Sequence, residues 1–286
     1  MDMLQERIRK FKCPIVLDLA LEQQHIPAAF ASDNALEGMV SYCSALLAAM
    51  KAIVPAVRFN FDQYALLGGE GLERLSALMQ EANRMGYYVL LDGPSVTSPW
   101  AAQRAAAILG EDSCYPCHGM IISPYIGSDA IKPFAEYCKA GKSLFVIVRS
   151  PNKSAAELQD LMTGSRLVHT AAADLVKRHG ESLVGKCGYS SIGAVISATS
   201  SSSVMNLRSK YNRTFLLVDG LDYPGGNGKN ASLGFDRFGH GCAVSVGPSI
   251  TSAWMTEEDQ TADAVQLAVR AAERIRNNLG RYITIL

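Results

Sequence analysis

The strongest constraint on this chain is a repeating unit, in which a short apolar run is followed by a longer segment of helical period, met eight times without a break in composition. The runs lie at Pro14–Ala20, Ala56–Phe61, Tyr87–Asp92, Gly119–Tyr125, Ser143–Ser150, Ile192–Ala198, Thr214–Gly220 and Cys242–Gly247. Stretches such as Val89-Leu-Leu, Phe145-Val-Ile-Val and Phe215-Leu-Leu-Val suit strands buried on both faces, as in a parallel sheet. Between them, Ala35–Ile53 carries Leu36, Met39, Val40, Cys43, Leu46, Leu47 and Met50 close to i, i+3, i+4, i+7 spacing, and Gly71–Met85 repeats the pattern. Further helices are predicted at Pro99–Leu109, Ser128–Ala140, Ala155–Met162, Arg166–Arg178, Ser202–Lys210, Ser232–Phe238 and Thr256–Leu279, the last capped by Thr256 with Glu257 and Glu258 in its first turn. The serines of Thr199–Ser203 read as the loop and cap before a helix.

Eight strand–helix units predict an α/β fold, a single (β/α)8 TIM barrel occupying residues 1–286 as one domain. An open doubly wound sheet uses the same alternation. Against it, Leu17-Asp-Leu-Ala stands after the first strand, where a dinucleotide fold would place G-x-G-x-x-G.

Hydrophobic residues make up 48% of the chain, enough to fill a barrel and its helical shell. Lysine plus arginine balance aspartate plus glutamate at 27 each, which argues against a nucleic-acid partner but leaves room for one small anion. Seven cysteines, an odd and scattered set, are not a disulfide framework; Cys114-Tyr-Pro-Cys117 has redox spacing without redox context and reads as two small thiols in a turn. The charged, amphipathic N-terminus lacks a signal-peptide core, and no apolar run approaches the roughly 18 residues that span a bilayer. The expectation is a cytoplasmic protein without a membrane partner.

A barrel carries its chemistry at the carboxyl ends of its strands. Those positions hold Asp18, Asn60 with Asp62, Asp92, Ser123 with Tyr125, Arg149 with Asn152, Ser197 with Thr199, Asp219 with Asp222, and Gly247. Such aspartates and serines also cap helices, an equally good reading for Asp18 and Ser123. The loop Asp219–Lys229 contains Gly225, Gly226 and Lys229, and Gly247-Pro-Ser249-Ile opens a short helix. Glycines admit a ligand close to the backbone and free N–H groups attract anions, so these loops are candidates for a phosphate; the alternative is a surface loop. His118 and His240 fall at the opposite end of the barrel, and His169 and His179 stand too far apart on one helix to act together.

With these positions in hand, the chain resembles orotidine 5′-phosphate decarboxylase, in its longer bacterial form, over nearly the whole barrel. The resemblance runs through Val16-Leu-Asp18, Val57-Arg-Phe-Asn-Phe61 with Tyr64, Val89-Leu-Leu-Asp92, Ile122-Ser-Pro-Tyr-Ile-Gly127, Leu144–Asn152, Ile192-Gly-Ala194, Phe215–Val218 and Ala243–Val246. It implies a homodimer acting on a nucleotide without metal or cofactor, with Asp92 and Arg58 at the catalytic positions. It also implies ligand contacts from Asp18, Asn60, Ser123, Pro124, Gly225, Gly226, Gly247 and Ser249.

The family's Asp-x-Lys-x-x-Asp reads here Asp92-Gly-Pro94-Ser-Val-Thr97. The first aspartate stays, while proline stands for the proton-donating lysine and Thr97 for the aspartate that crosses to a partner subunit. Arg58 replaces the other lysine, keeping charge but not proton-donor ability. Pro224 and Pro248 replace the glutamine and arginine that hold phosphate, for which Lys229 is a candidate substitute. The pattern predicts a barrel that retains part of a pocket for a nucleotide or phosphorylated small molecule and is not an efficient decarboxylase. Two alternatives stay open: decarboxylation by substitute residues, and altered chemistry with Mg²⁺ or Mn²⁺ held by Asp18, Asp62, Asp92, Asp219 or Asp222.

Overall fold

The eight apolar runs form eight parallel strands that close on themselves: β1 (Ile15–Asp18), β2 (Ala56–Asn60), β3 (Tyr88–Asp92), β4 (Gly119–Ile122), β5 (Ser143–Ile147), β6 (Ile192–Ser197), β7 (Leu216–Asp219) and β8 (Cys242–Val246). Each strand pairs with its sequence neighbours, and β8 returns to β1 with Leu17 opposite Val246. This computed structural model describes residues 1–93, 95–256 and 263–286; Pro94, Glu257 and Glu258 lie outside them. Most observed strands stop one to three residues short of the predicted runs, because there the chain leaves the ladder to build the loops of the mouth.

Strand alternation sorts the core into two. Outward residues such as Leu17, Val57, Leu91, Val146 and Val218 pack against the helical shell. Inward residues Val16, Ala56, Tyr88, Leu90, Ile121, Phe145, Val195, Leu217 and Ala243 form a separate interior cluster. The interior is floored by a helix, Asp2–Phe11, whose Leu4 and Ile8 are fully buried in that cluster, each burial stabilising the fold by roughly 1.5–3 kcal/mol. Gln5 on the same helix accepts from the Gly241 N–H at 2.8 Å, tying the floor to the start of β8.

The main helices lie at Ala35–Met50, Gly68–Arg84, Ala101–Leu109, Ser128–Lys139, Val168–Gly180, Ser201–Lys210 and Ala264–Leu279. Ser200 caps its helix by accepting from Ser203 N–H, as the serine run predicts. Three expectations need correction. The predicted helix Ala155–Met162 ends at Gln159, and a two-stranded hairpin, Met162–Thr163 with Arg166–Leu167, follows around Gly164, whose φ of 64° suits the turn. The helix placed at Ser232–Phe238 lies instead at Gly228–Ser232, where Asn227 caps it; residues 236–240 form a turn organised on Asp236, which accepts from Phe238 and His240 N–H at 2.8 Å each. The last helix starts at Ala264 rather than Thr256, capped by Asp263, which accepts from Val265 and Gln266 N–H.

All seven cysteines are unpaired; Cys114 is exposed, and burial pushes the Cys117 thiol up to about 12. His118 sits at the floor end, stacked on Tyr88, with burial lowering its pKa to about 4. His169 and His179 have separate partners, Asp160 and Ser128. No helix among the described residues is long and apolar enough to cross a membrane.

Candidate functional site

Strand periodicity defines the site. Two residues beyond the inward members of the interior cluster, each strand presents its next inward side chain: Asp18, Arg58, Asp92, Ser123, Ile147, Ser197, Asp219 and Ser245. This ring is the mouth of the barrel. Arg58 is its one cation, set in register beside Asp18 on β1. Its Nη1 lies 3.0 Å from Asp219 Oδ2, 3.3 Å from Asp18 Oδ2 and 3.1 Å from Ser245 Oγ. Its Nε donates to Asp92 Oδ2 at 3.1 Å, and its Nη2 closes a second, short bond to the same oxygen. One guanidinium thus holds carboxylates from three strands, all largely buried, with side chains 6–18% exposed.

The charges are unequal, since three carboxylates face one arginine. Burial pushes the Asp18 carboxyl up to about 6; Arg58 opposes the shift, and Asp219 and Asp92 reinforce it. For Arg58, burial works against the charge, but Asp18, Asp92 and Asp219 together outweigh it and hold its pKa well above the usual range. The guanidinium is therefore a fixed cation, not a source of protons. The other oxygen of Asp92, Oδ1, is buried and meets no hydrogen-bond partner among the described residues.

The remaining predicted residues divide between the ring and its surroundings. Asp18 also closes a local turn, its Oδ1 accepting from Ala20 N–H at 3.1 Å, and does not cap the helix that follows, which starts at Gln23 after Glu22. Asn60 uses its side-chain oxygen to cap the short helix Phe61–Ala65, accepting from Gln63 N–H at 2.9 Å. Ser123 accepts from Tyr125 N–H at 3.3 Å, across Pro124. Arg149 turns away to a two-point pair with Asp160, at 3.0 and 2.8 Å. Asp62 and Lys229 are exposed. Ser245, a ring member that accepts from Arg58, went unnamed in the sequence reading; the polar residue inside Cys-Ala-Val-Ser-Val is the signal for it. Among the described residues no group of three His, Cys, Asp or Glu side chains is arranged to hold a metal ion.

The glycine loops are partly closed by hydrogen bonds of their own. After β7, Tyr223 N–H donates to Gly220 O at 3.2 Å and Gly226 N–H to Tyr223 O at 2.9 Å, two successive turns. Gly220 (φ 84°) and Gly225 (φ 88°) supply left-handed backbone, and a side chain on Gly226 would run into the Gly220 carbonyl. After β8, the Asp222 carboxylate bridges the turn, with Oδ2 accepting from Gly247 N–H and Oδ1 from Ser249 N–H, both at 2.8 Å.

No protein-family model matches the chain. Among curated proteins it is similar to an orotidine 5′-phosphate decarboxylase of Rhodopirellula baltica, with 29% identity over 249 residues, covering 84% of this chain and 82% of the relative. A second, from Caldicellulosiruptor saccharolyticus, is 29% identical over 275 residues and covers 88% and 89% of the two chains. Among solved structures, the orotidine 5′-monophosphate decarboxylase of Plasmodium berghei superposes with a TM-score of 0.78 over 98% of both chains at 14% identity, a likeness of fold.

Proposed function

The chain is a homologue of the orotidine 5′-phosphate decarboxylases, and from that premise we propose that its mouth binds a pyrimidine nucleotide-class small molecule without decarboxylating it efficiently. The observation that carries this reading is Arg58 as the one cation of the ring, bound to Asp18, Asp92, Asp219 and Ser245. Decarboxylation on this scaffold leaves a carbanion that must be stabilised and then protonated by an acid at the reacting carbon. Arg58 holds charge but releases no proton near neutrality, and a substrate carboxylate entering the ring meets three carboxylates against one guanidinium. The sequence at the end of β3, Asp92-Gly-Pro-Ser-Val-Thr97, supplies no ammonium group in compensation.

The test is prolonged incubation of concentrated protein with orotidine 5′-phosphate, following uridine 5′-phosphate formation against a lysine-containing relative. The expected result is no product above background. Product that disappears in Arg58→Ala or Asp92→Asn would overturn the reading and assign the proton to another group.

We propose further that the chain is a homodimer. Leu66, Trp100 and Tyr125 are exposed on the loops after the adjacent strands β2, β3 and β4, giving one side of the mouth an apolar rim. Sedimentation at micromolar concentration tests this, and a monomer there would end the proposal.

A further inference from the structure

We propose that Asp222 is a specificity-determining residue: its carboxylate occupies the place a ligand's phosphate would take, so that the barrel selects an unphosphorylated pyrimidine nucleoside over its 5′-phosphate. The proposal rests on the reading of the mouth as a pyrimidine site and narrows it, putting the unphosphorylated nucleoside where that reading left a nucleotide-class ligand.

The argument begins with the N–H groups. Loops after the seventh and eighth strands of such barrels hold phosphates through backbone donors. Here the turn after β8 offers two between Gly247 and Ser249, because Pro248 has none, and Asp222 accepts both at 2.8 Å. In the loop after β7, Pro224 likewise lacks a donor, and the donors of Tyr223 and Gly226 are used by carbonyls within the loop. In the turn after β8 the anion satisfied is therefore the protein's own. Asp222 lies 25 residues from the turn it bridges, so this is a tertiary contact and not a local cap.

The second argument is charge. Gly247 backs onto Asp18: a Cβ placed on it would lie 3.4 Å from the Asp18 Cβ. The carboxylate of Asp222 is thus fixed beside a ring that already carries three carboxylates to one guanidinium. A phosphate entering here must displace Asp222 and then sit among like charges. A nucleoside has neither difficulty. Its hydroxyl groups are donors, and the ring offers an unmatched acceptor in the buried Oδ1 of Asp92, whose residue is 4% exposed.

The experiment is calorimetric titration of the full chain at pH 7 with uridine, uridine 5′-phosphate and inorganic phosphate, using the native protein, Asp222→Asn and Asp222→Ser. Both variants keep an oxygen that can accept from the turn, and circular dichroism confirms that each is folded. The native chain is expected to bind uridine at least tenfold more tightly than uridine 5′-phosphate. In the variants the affinity ratio should shift toward the phosphate by at least tenfold. A native chain that binds uridine 5′-phosphate as well as uridine, or a ratio unchanged in both variants, would overturn the proposal. If neither pyrimidine binds any form, the pyrimidine reading of the mouth fails, and phosphorus NMR of inorganic phosphate decides the role of Asp222 by itself. Phosphate binding gained only in the variants supports it; binding that is equal in, or absent from, all three forms removes it.

Discussion

The floor and the mouth of the barrel are built from the same strands, yet the inward strand residues of one are mostly apolar and those of the other are held by ions. At Val16, Ala56, Leu90, Leu217 and Ala243 the inward side chains bury hydrocarbon against Leu4 and Ile8. Two residues further, about 7 Å along each strand, the same strands present Asp18, Arg58, Asp92, Asp219 and Ser245. The floor is stabilised by burial that is insensitive to pH. The mouth holds carboxylates together through a single cation and keeps an acceptor unmatched, so it contributes less to stability and more to what can bind. This difference teaches that the inner face of a barrel can pass from scaffold to receptor within one inward step of each strand.

The most severe way to break the contrast is to remove the shared cation. Arg58→Met leaves Asp18, Asp92 and Asp219 facing one another without compensation and is expected to cost about 3–5 kcal/mol in urea unfolding at pH 8. The cost should shrink at pH 5.5, where Asp18 takes up a proton; an undiminished native stability at pH 8 would show that Arg58 does not hold the ring. Leu4→Ala at the floor removes a fully buried side chain, with a loss of about 2–4 kcal/mol. That loss should be the same at pH 5.5 and pH 8, and a marked difference would mean that the two ends are coupled.

Asp18→Asn sharpens the comparison with a gain instead of a loss. The folded-state pKa of Asp18, about 6, lies above the roughly 3.9 of an unfolded aspartate. The native chain therefore holds this proton more tightly than the unfolded chain does. Its contribution to stability is full below about pH 4 and disappears as pH rises through about 6. An uncharged asparagine should stabilise the protein at pH 7 by on the order of 1–2 kcal/mol and flatten the slope between pH 4 and 7; an unchanged slope assigns the titration elsewhere. The smallest effect belongs to neither region. Asp263→Ala removes the cap of the helix Ala264–Leu279 and should cost about 1 kcal/mol, seen as a small fall in the urea midpoint. A larger loss would place that helix among the supports of the barrel.

Much of the scaffold was legible in the sequence. Strands buried on both faces leave continuous apolar runs, and all eight were found where such runs occur. The floor helix Asp2–Phe11 was not, because only a few positions, Leu4 and Ile8 among them, face the core, and its other residues read as an ordinary charged segment. The hairpin at 162–167 and the cap at Asp263 were hidden for a related reason. Short elements carry too few residues for a period, and several nearby polar side chains compete as caps. In the candidate site, Arg58 and Asp92 were each singled out through the resemblance at β2 and β3, and the structure pairs them. The further hold of Arg58 on Asp18, Asp219 and Ser245, and the use of the Gly247 and Ser249 amides by Asp222, were not anticipated.

By itself, then, the sequence determined the eight strand–helix units, the end of the barrel at which polar groups collect, and that the residue two places after Asp92 is a proline, with no ammonium group to offer. Those features depend on the order of neighbouring residues, since periodicity and side-chain identity need no distant partner. Only the tertiary structure decided which charges meet. Closure of the sheet brings residues 18, 92, 219 and 245 around the guanidinium of Arg58 and seats Asp222 on a turn 25 residues away. The strength of an ion pair or a hydrogen bond depends on distance and burial in space, which spacing along the chain does not specify.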